Sequence, residues 1–532
     1  MITLLLFGSF FLFLALGIPV AFSLGLAAVT VLITTDGFQV LDVVPSVMFP
    51  SMSSGTLLAI PFFILAGIVM QYTGISQRLV DLAFLVFGRF SHGLAAVTII
   101  SAFFFSAISG SGPATVAAIG AILIPALVRN GYQKKHAVSL VAASGSMGIV
   151  VPPSIAFIIF AVVASEFGSI SITRLFIAGI VPGIIMALAF FIAALFVPRV
   201  RELAGLPVNS GRGLLAAGTG PSTTTGAEAV VTSDSTAGPA TASPTPTTAS
   251  GSGATKTRLL KTGTAGTSGP TTGRATSAGS GATTAGAGSM TGSGNGTVGV
   301  TGTGTHAEGS FGEFLAALVK AIPGLLIPVI ILGGIYGGIF TPTEAGAVAS
   351  VFALLVGFFV YRELKLPDLP KVFLESGVST AVIMFIVGVA SLFSYVITVE
   401  GIAETVSTAV LSVTDNKFVI LAVITIILLI VGAFVDAISA FYLFIPILVP
   451  ILLGVGVDMT TIGVFMTVNL AIGLFTPPVG LNLYVGAGIG KIRIEEVIRG
   501  VMPFLIAAII ALLLITYIPA ISNWLPDLLD VG

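Results

Sequence analysis

Three hydroxyl side chains, Ser109, Ser111 and Thr115, stand around Gly110, Gly112 and Pro113 in the middle of an apolar run from 93 to 128. Glycine and proline in this order stop a helix, and a helix stopped inside a membrane leaves carbonyl and N–H groups without partners. Free carbonyl ends favour cations and free N–H ends favour anions. With the hydroxyl oxygens added, the segment carries the donor set of a Na+ or anion site. Close packing of small residues between helices is the other reading. Two further segments have the same character. Gly145-Ser146-Met147-Gly148 leads into Pro152-Pro153, and Gly473 leads through Thr476 into Pro477-Pro478-Val479-Gly480, with Asn482 just beyond. A Pro-Pro pair removes donors and turns the preceding residue away from the α region, so each segment reads as two half-helices meeting inside the membrane. Asp436 lies within another apolar run, before Ala437-Ile438-Ser439. A carboxylate there is costly and is functional by default. It either joins a cation site or holds the chain by hydrogen bonds.

Other chemistry is missing from the pattern. Thr341-Pro342-Thr343-Glu344 reads as a helix cap, with Pro342 at the first helical position and Glu344 closing a capping box. A helix therefore starts at 342, and 321–361 divides into two crossings. His92, His136 and His306 fall at loop-like or linker positions and receive no metal role. No His or Asp adjoins Ser109, Ser111 or Ser146 as a hydrolase triad needs, and no phosphate-binding GxxxxGK[ST] occurs. The 532 residues include no cysteine. No enzyme and no cofactor is expected.

The elements that must position these residues are membrane helices. The chain is 55% hydrophobic and 8% charged, with mean hydropathy +1.12, against about 25% charged for a soluble domain. Apolar stretches near the length of a bilayer crossing recur along it. The start lacks a basic n-region, so the first run, 2–34, reads as a retained helix or as two short ones broken at Gly17-Ile18-Pro19. From 206 to 312 the composition turns to Thr, Gly, Ser, Ala and Pro, which predicts a disordered linker between a first membrane repeat, 1–205, and a second, 313–532. Pro125, Gly131, Gly148, Pro152 and Pro153 recur as Pro450, Gly456, Gly473, Pro477 and Pro478 at a constant offset (450 − 125 = 325). Gly74-Ile75 matches Gly401-Ile402, and a local match pairs Asp436 with Ser106. Arg78 and Arg89 before the run 93–128, and Arg129, Lys134 and Lys135 after it, place both its ends on the cytoplasmic side, as a hairpin. The equivalent hairpin, about 418–453, lacks such flanks and enters from outside. Arg199 and Arg201 put the linker in the cytoplasm. The expected fold is an all-α polytopic membrane protein of two inverted repeats, each with a re-entrant hairpin and a broken helix, with nine to eleven crossings besides.

These residues resemble the large membrane subunit of tripartite ATP-independent periplasmic (TRAP) transporters. The resemblance lies in Gly17 to Phe22, Ile60 to Gly67, Ser109 to Gly120, Gly148 to Ser154, Gly338 to Ala345 and Phe475 to Asn482, covering both membrane halves. It implies an elevator-type ion-transporter fold in the inner membrane, Na+-driven import of an organic acid such as a dicarboxylate or sialic acid, a small four-helix membrane subunit and a periplasmic substrate-binding protein. Carried over by motif, Ser109, Gly110, Ser111, Gly112, Pro113, Thr115, Gly145, Ser146, Gly148, Pro152 and Pro153 form one ion-and-substrate half-site. Asp436, Ser439, Gly473, Thr476, Pro477, Pro478, Gly480 and Asn482 form the other. The long polar linker departs from the family pattern and is expected to be dispensable for transport. Competing readings are a stand-alone Na+- or H+-coupled carboxylate carrier and a non-transporting membrane scaffold.

Overall fold

The computed structural model describes residues 1–88, 90, 92–197 and 311–531. The expectations for the linker, Arg89, Arg199, Arg201 and His306 lie outside them. Among the described residues the fold is all helix, without strands. The first half runs α1 (Ile2–Ala15), α2 (Val20–Asp36), α3 (Val43–Met52), α4 (Ala59–Tyr72), α5 (Ile75–Phe87), α6 (Gly93–Ser109), α7 (Gly112–Arg129), α8 (Lys134–Gly145), α9 (Ile155–Ala164) and α10 (Ile172–Leu195). The second runs α11 (Phe311–Tyr336), α12 (Pro342–Leu355), α13 (Leu369–Val399), α14 (Ile402–Val413), α15 (Lys417–Gly432), α16 (Ala437–Gly454), α17 (Met459–Gly473), α18 (Leu481–Gly490), α19 (Ile494–Tyr517) and α20 (Ala520–Leu528).

The breaks fall where the sequence places them. Residues 2–34 form two helices parted at Gly17-Ile18-Pro19. Thr341 N donates to Glu344 Oε2 at 2.8 Å and Glu344 N to Thr341 Oγ1 at 3.3 Å, the expected capping box. Seven helices among the described residues are long and apolar enough to cross a membrane, or eight counting α4 and α5 as one span bent by 69°. Two of the seven, α7 and α16, are hairpin arms. The broken helices and the first pair lie in shorter apolar pieces and are outside that number.

α6–α7 and α15–α16 are the two hairpins; α8–α9 and α17–α18 are the two broken helices. Their ends can be ordered along α19, which at 24 residues spans about 36 Å. Near its start, Gly500 O lies 3.2 Å from His136 Nδ1 and Val497 O accepts from Ser139 Oγ at 3.0 Å, so α8, and with it the base of hairpin 1, sits at that end. At its far end Tyr517 Oη donates to Phe418 O, at the base of hairpin 2, at 3.1 Å. The hairpins therefore enter from opposite ends, as inverted repeats require. Lys134, Lys135, Lys491, Arg493 and Arg499 crowd the hairpin 1 end, the composition of a cytoplasmic face.

Each hairpin's outgoing arm packs on the other repeat's half-helix: α7 on α18 and α16 on α9. Outside this core, α4 packs on α12 and α13, and α13 also on α2 and α3. The α4–α5 and α13–α14 bends both turn on a glycine in the left-handed region, Gly74 at φ 65° and Gly401 at φ 61°. Arg78 fixes the first bend, donating to Gly74 O at 3.0 Å and pairing with Glu363 at 2.6 Å. A Cβ on Gly74 would collide with the Glu363 carboxylate, whereas around Gly401 the space is open. Both Gly74→Ala and Gly401→Ala incur the left-handed penalty of about 1–2 kcal/mol. Gly74→Ala should lower the thermal unfolding midpoint of the purified protein further, because it also expels that ion pair.

Candidate functional site

At the tip of hairpin 1, Gly110 closes α6 in the left-handed conformation and Ser111, in extended conformation, opens α7. The oxygens the sequence singled out converge there. Ser109 Oγ lies 2.8 Å from Thr115 Oγ1, and both hydroxyls point at Ser111 O, at 3.2 and 2.8 Å. Ser109 and Thr115 are buried.

The first broken helix presses on this tip. Between α8 and α9 the chain passes through a turn of 3-10 helix, Ser146–Ile149, and a cis Pro152-Pro153 bond. Gly148 is held so close that a Cβ would lie 2.8 Å from Gly112 N and collide with Ser111 O. A Cβ on Gly145 would lie 3.2 Å from Gly112 O, and one on Gly110 would lie 3.3 Å from Pro153 O. Ser146 Oγ bonds Ala143 O at 2.7 Å, within its own helix. Pro113 stands in the first turn of α7, where its missing N–H leaves no helical bond unmade.

Hairpin 2 repeats the arrangement with different chemistry. Asp436 is the N-cap of α16: its Oδ1 accepts from Ile438 N and Ser439 N at 3.0 Å each, and its Oδ2 from Ser439 Oγ at 2.6 Å. Gly473 lies against the tip, where a Cβ would be 2.5 Å from Gly432 Cα. Pro477-Pro478 is cis, Thr476 Oγ1 bonds Ile472 O at 2.7 Å, and Gly480 N donates to Ala433 O at 3.3 Å.

Two expectations need correction. Asp436 does not correspond to Ser106, which lies inside the incoming helix α6; it opens the outgoing helix, as Ser111 does in hairpin 1. The local match had traced similar letters across a shift of register, while the helix starts keep the repeat offset (436 − 111 = 325). Asn482 does not join the hairpin 2 group. Its Nδ2 donates to Ala142 O at 3.1 Å, and a Cβ on Gly112 would lie 3.1 Å from its Oδ1. The packing of α18 on α7 and α8 carries it across to hairpin 1.

Sequence reasoning named Asn482 but missed Ser144 and Asn469, whose side-chain oxygens share its orphaned state. Ser144 Oγ, Asn469 Oδ1 and Asn482 Oδ1 are fully buried without a hydrogen-bond partner, a state costing about 1–3 kcal/mol each. Ser144 and Asn469 occupy one repeat position (469 − 144 = 325). The available signal was an amide alone in an apolar helix.

Paired hairpins, paired broken helices and buried oxygens at the breaks define a polytopic helical membrane protein with the interior of a transport permease. Comparison with known proteins is specific. The family described as "Tripartite ATP-independent periplasmic transporter, DctM component" matches residues 7–293 and 295–521, and the chain belongs to that family. The isethionate TRAP transporter permease protein DctMQ of Oleidesulfovibrio alaskensis is 35% identical over 516 residues, 97% of this chain and 65% of that protein, so the chain spans about two-thirds of that relative. The C4-dicarboxylate TRAP transporter large permease protein DctM of Pseudomonas aeruginosa is 34% identical over 91% of this chain and 89% of its own length. The fold is shared with the Alcanivorax borkumensis YdaH transporter, with TM-score 0.53 at 11% identity over 93% of this chain and 90% of the other. The relatives are permeases and the chain is not an enzyme.

Proposed function

We propose that the chain is the large permease subunit of a Na+-coupled, binding-protein-dependent importer of small organic anions, working by elevator movement of the hairpin core against the α1–α4 and α11–α13 helices. The observation that carries this is the convergence of helix ends at the breaks. α7, α9, α16 and α18 all begin there, and α6, α8, α15 and α17 all end there. N-termini draw anions and C-termini draw cations. Asp436 caps α16, while α7, α9 and α18 have no side-chain cap. Three N-termini are therefore left for an anionic substrate. The Ser109 and Thr115 hydroxyls with Ser111 O supply three neutral oxygens suited to Na+, the coupled cargo. Relatives named for isethionate and C4-dicarboxylates favour a short sulfonate or carboxylate. Family membership favours a small membrane subunit and a periplasmic binding protein as partners and the inner membrane as location.

The test is uptake into proteoliposomes holding this chain and its small-subunit partner, with and without binding protein, under an imposed Na+ gradient. Uptake requiring both is expected; uptake without the binding protein would favour a stand-alone carrier. Within the same assay Ser109→Ala and Thr115→Val should each raise the Na+ concentration for half-maximal uptake about tenfold, since one lost oxygen costs about 1–1.5 kcal/mol. An unchanged Na+ dependence in both would remove this cluster from ion binding.

A further inference from the structure

Helix α20 is bound to the protein through its polar side. Arg174, at the start of α10, pairs with Asp527 at 2.5 Å and donates to Val531 O at 2.7 Å. Asn523 Nδ2 donates to Asp458 Oδ2 and to Thr461 Oγ1, at the start of α17, at 3.0 Å each. Ser522 and Pro526 are buried. The side left uncovered is apolar: Trp524, Leu528 and Leu529 are 58%, 64% and 53% exposed. A helix on a water-facing surface has the reverse arrangement, with its apolar side inward.

The uncovered side continues another surface. Along α19, Ile506, Ile510, Leu513 and Leu514 are exposed at helical spacing, and Ile518, just past its end, is exposed too. That helix is long and apolar enough to cross a membrane, so its outer stripe faces lipid. Ile518 comes just before α20. Trp524 is the only tryptophan in the chain, and tryptophan partitions to the headgroup level of a bilayer.

We propose that α20 lies in the membrane–water interface, at the end from which hairpin 2 enters. Trp524, Leu528 and Leu529 are seated in lipid, and Arg174 and Asn523 hold the polar side to α10 and α17. The occupant of the uncovered face is the bilayer. Because α17 is half of the second broken helix and α10 directly follows the first, this seat is fastened to the hairpin core itself. The inference stands apart from the choice of substrate or coupling ion.

A lone tryptophan makes the test direct. The full chain is reconstituted into liposomes whose lipids carry bromine either near the headgroup or near the chain terminus, and tryptophan emission is read. Trp524→Phe supplies the blank. Quenching by the shallow label at least about twofold stronger than by the deep label, with little quenching by aqueous acrylamide, is the expected result. Strong acrylamide quenching without lipid quenching would place Trp524 in water and overturn the proposal. Deep quenching exceeding shallow would put the helix in hydrocarbon, and quenching by neither would mean a protein surface covers it; both overturn it too.

Discussion

Replacing Gly148 or Gly473 by valine should abolish uptake while leaving the protein inserted in the membrane. In both cases the group met by a new side chain is backbone, which has no rotamer to yield. At Gly148 it is Ser111 O with Gly112 N, and at Gly473 it is the Gly432 main chain. Overpacking at such a contact costs about 1–3 kcal/mol, too little to unfold a protein of this size but enough to push a hairpin tip off its broken helix. A displacement near 1 Å at a reacting or binding centre is worth about 100-fold in rate. Even alanine is therefore expected to lower uptake at least about tenfold at either position. Gly333→Ala is the control, because nothing lies within 4 Å of a Cβ there. Uptake per inserted molecule is the measurement. Near-normal rates in both alanine variants would mean the tips do not need these close contacts.

At Asp436 the expected result is a split between two substitutions. Alanine removes the acceptor for two backbone N–H groups and the Ser439 hydroxyl. Loss of such a cap costs about 1 kcal/mol, and up to about 2. Asparagine keeps one oxygen to accept from the two N–H groups, puts an NH2 donor in place of the oxygen that accepts from the Ser439 hydroxyl, and removes the charge. Uptake should fall at least about tenfold in Asp436→Ala and persist in Asp436→Asn. If asparagine is as inactive as alanine while Ser439→Ala, which removes the same hydroxyl bond, stays active, the negative charge itself takes part in transport and the carboxylate is a ligand rather than a tip fastener. Measuring the Na+ dependence of both variants separates the outcomes.

Much of this architecture was legible in the sequence because membrane helices are punctuated by residues with few other uses. Gly-Pro marked the tip of hairpin 1 and Pro-Pro both broken helices, and the constant offset between Pro125 and Pro450 identified the repeat. Positively charged flanks anticipated opposite entry of the hairpins, which the hydrogen bonds at the two ends of α19 reproduce. What was not legible depends on packing across the repeats. Nothing near Asn482 in sequence says that it reaches Ala142, because α18 is delivered to hairpin 1 by the fold of the other half. The Asp436 equivalence failed for a related reason. Letter matching has no access to which of two adjacent helices a residue caps, and hairpin 2 has a longer tip than hairpin 1, so the incoming helices are out of step while the outgoing ones agree.

The exchange of arms, α7 resting on α18 and α16 on α9, has a consequence for how the molecule is made. When the ribosome has finished the first repeat, the apolar flank of α7 has no protein to cover it until residues near 481–490 arrive. More than 100 residues of low-complexity chain are translated in the interval. The first half must therefore wait in the bilayer as an incomplete body, with lipid tails standing in for its missing neighbour. Assembly is then less a matter of stacking two finished halves than of threading each into a gap left by the other. A nascent chain arrested before α18 would be inserted, helical and topologically correct, and still lack the ground on which hairpin 1 rests.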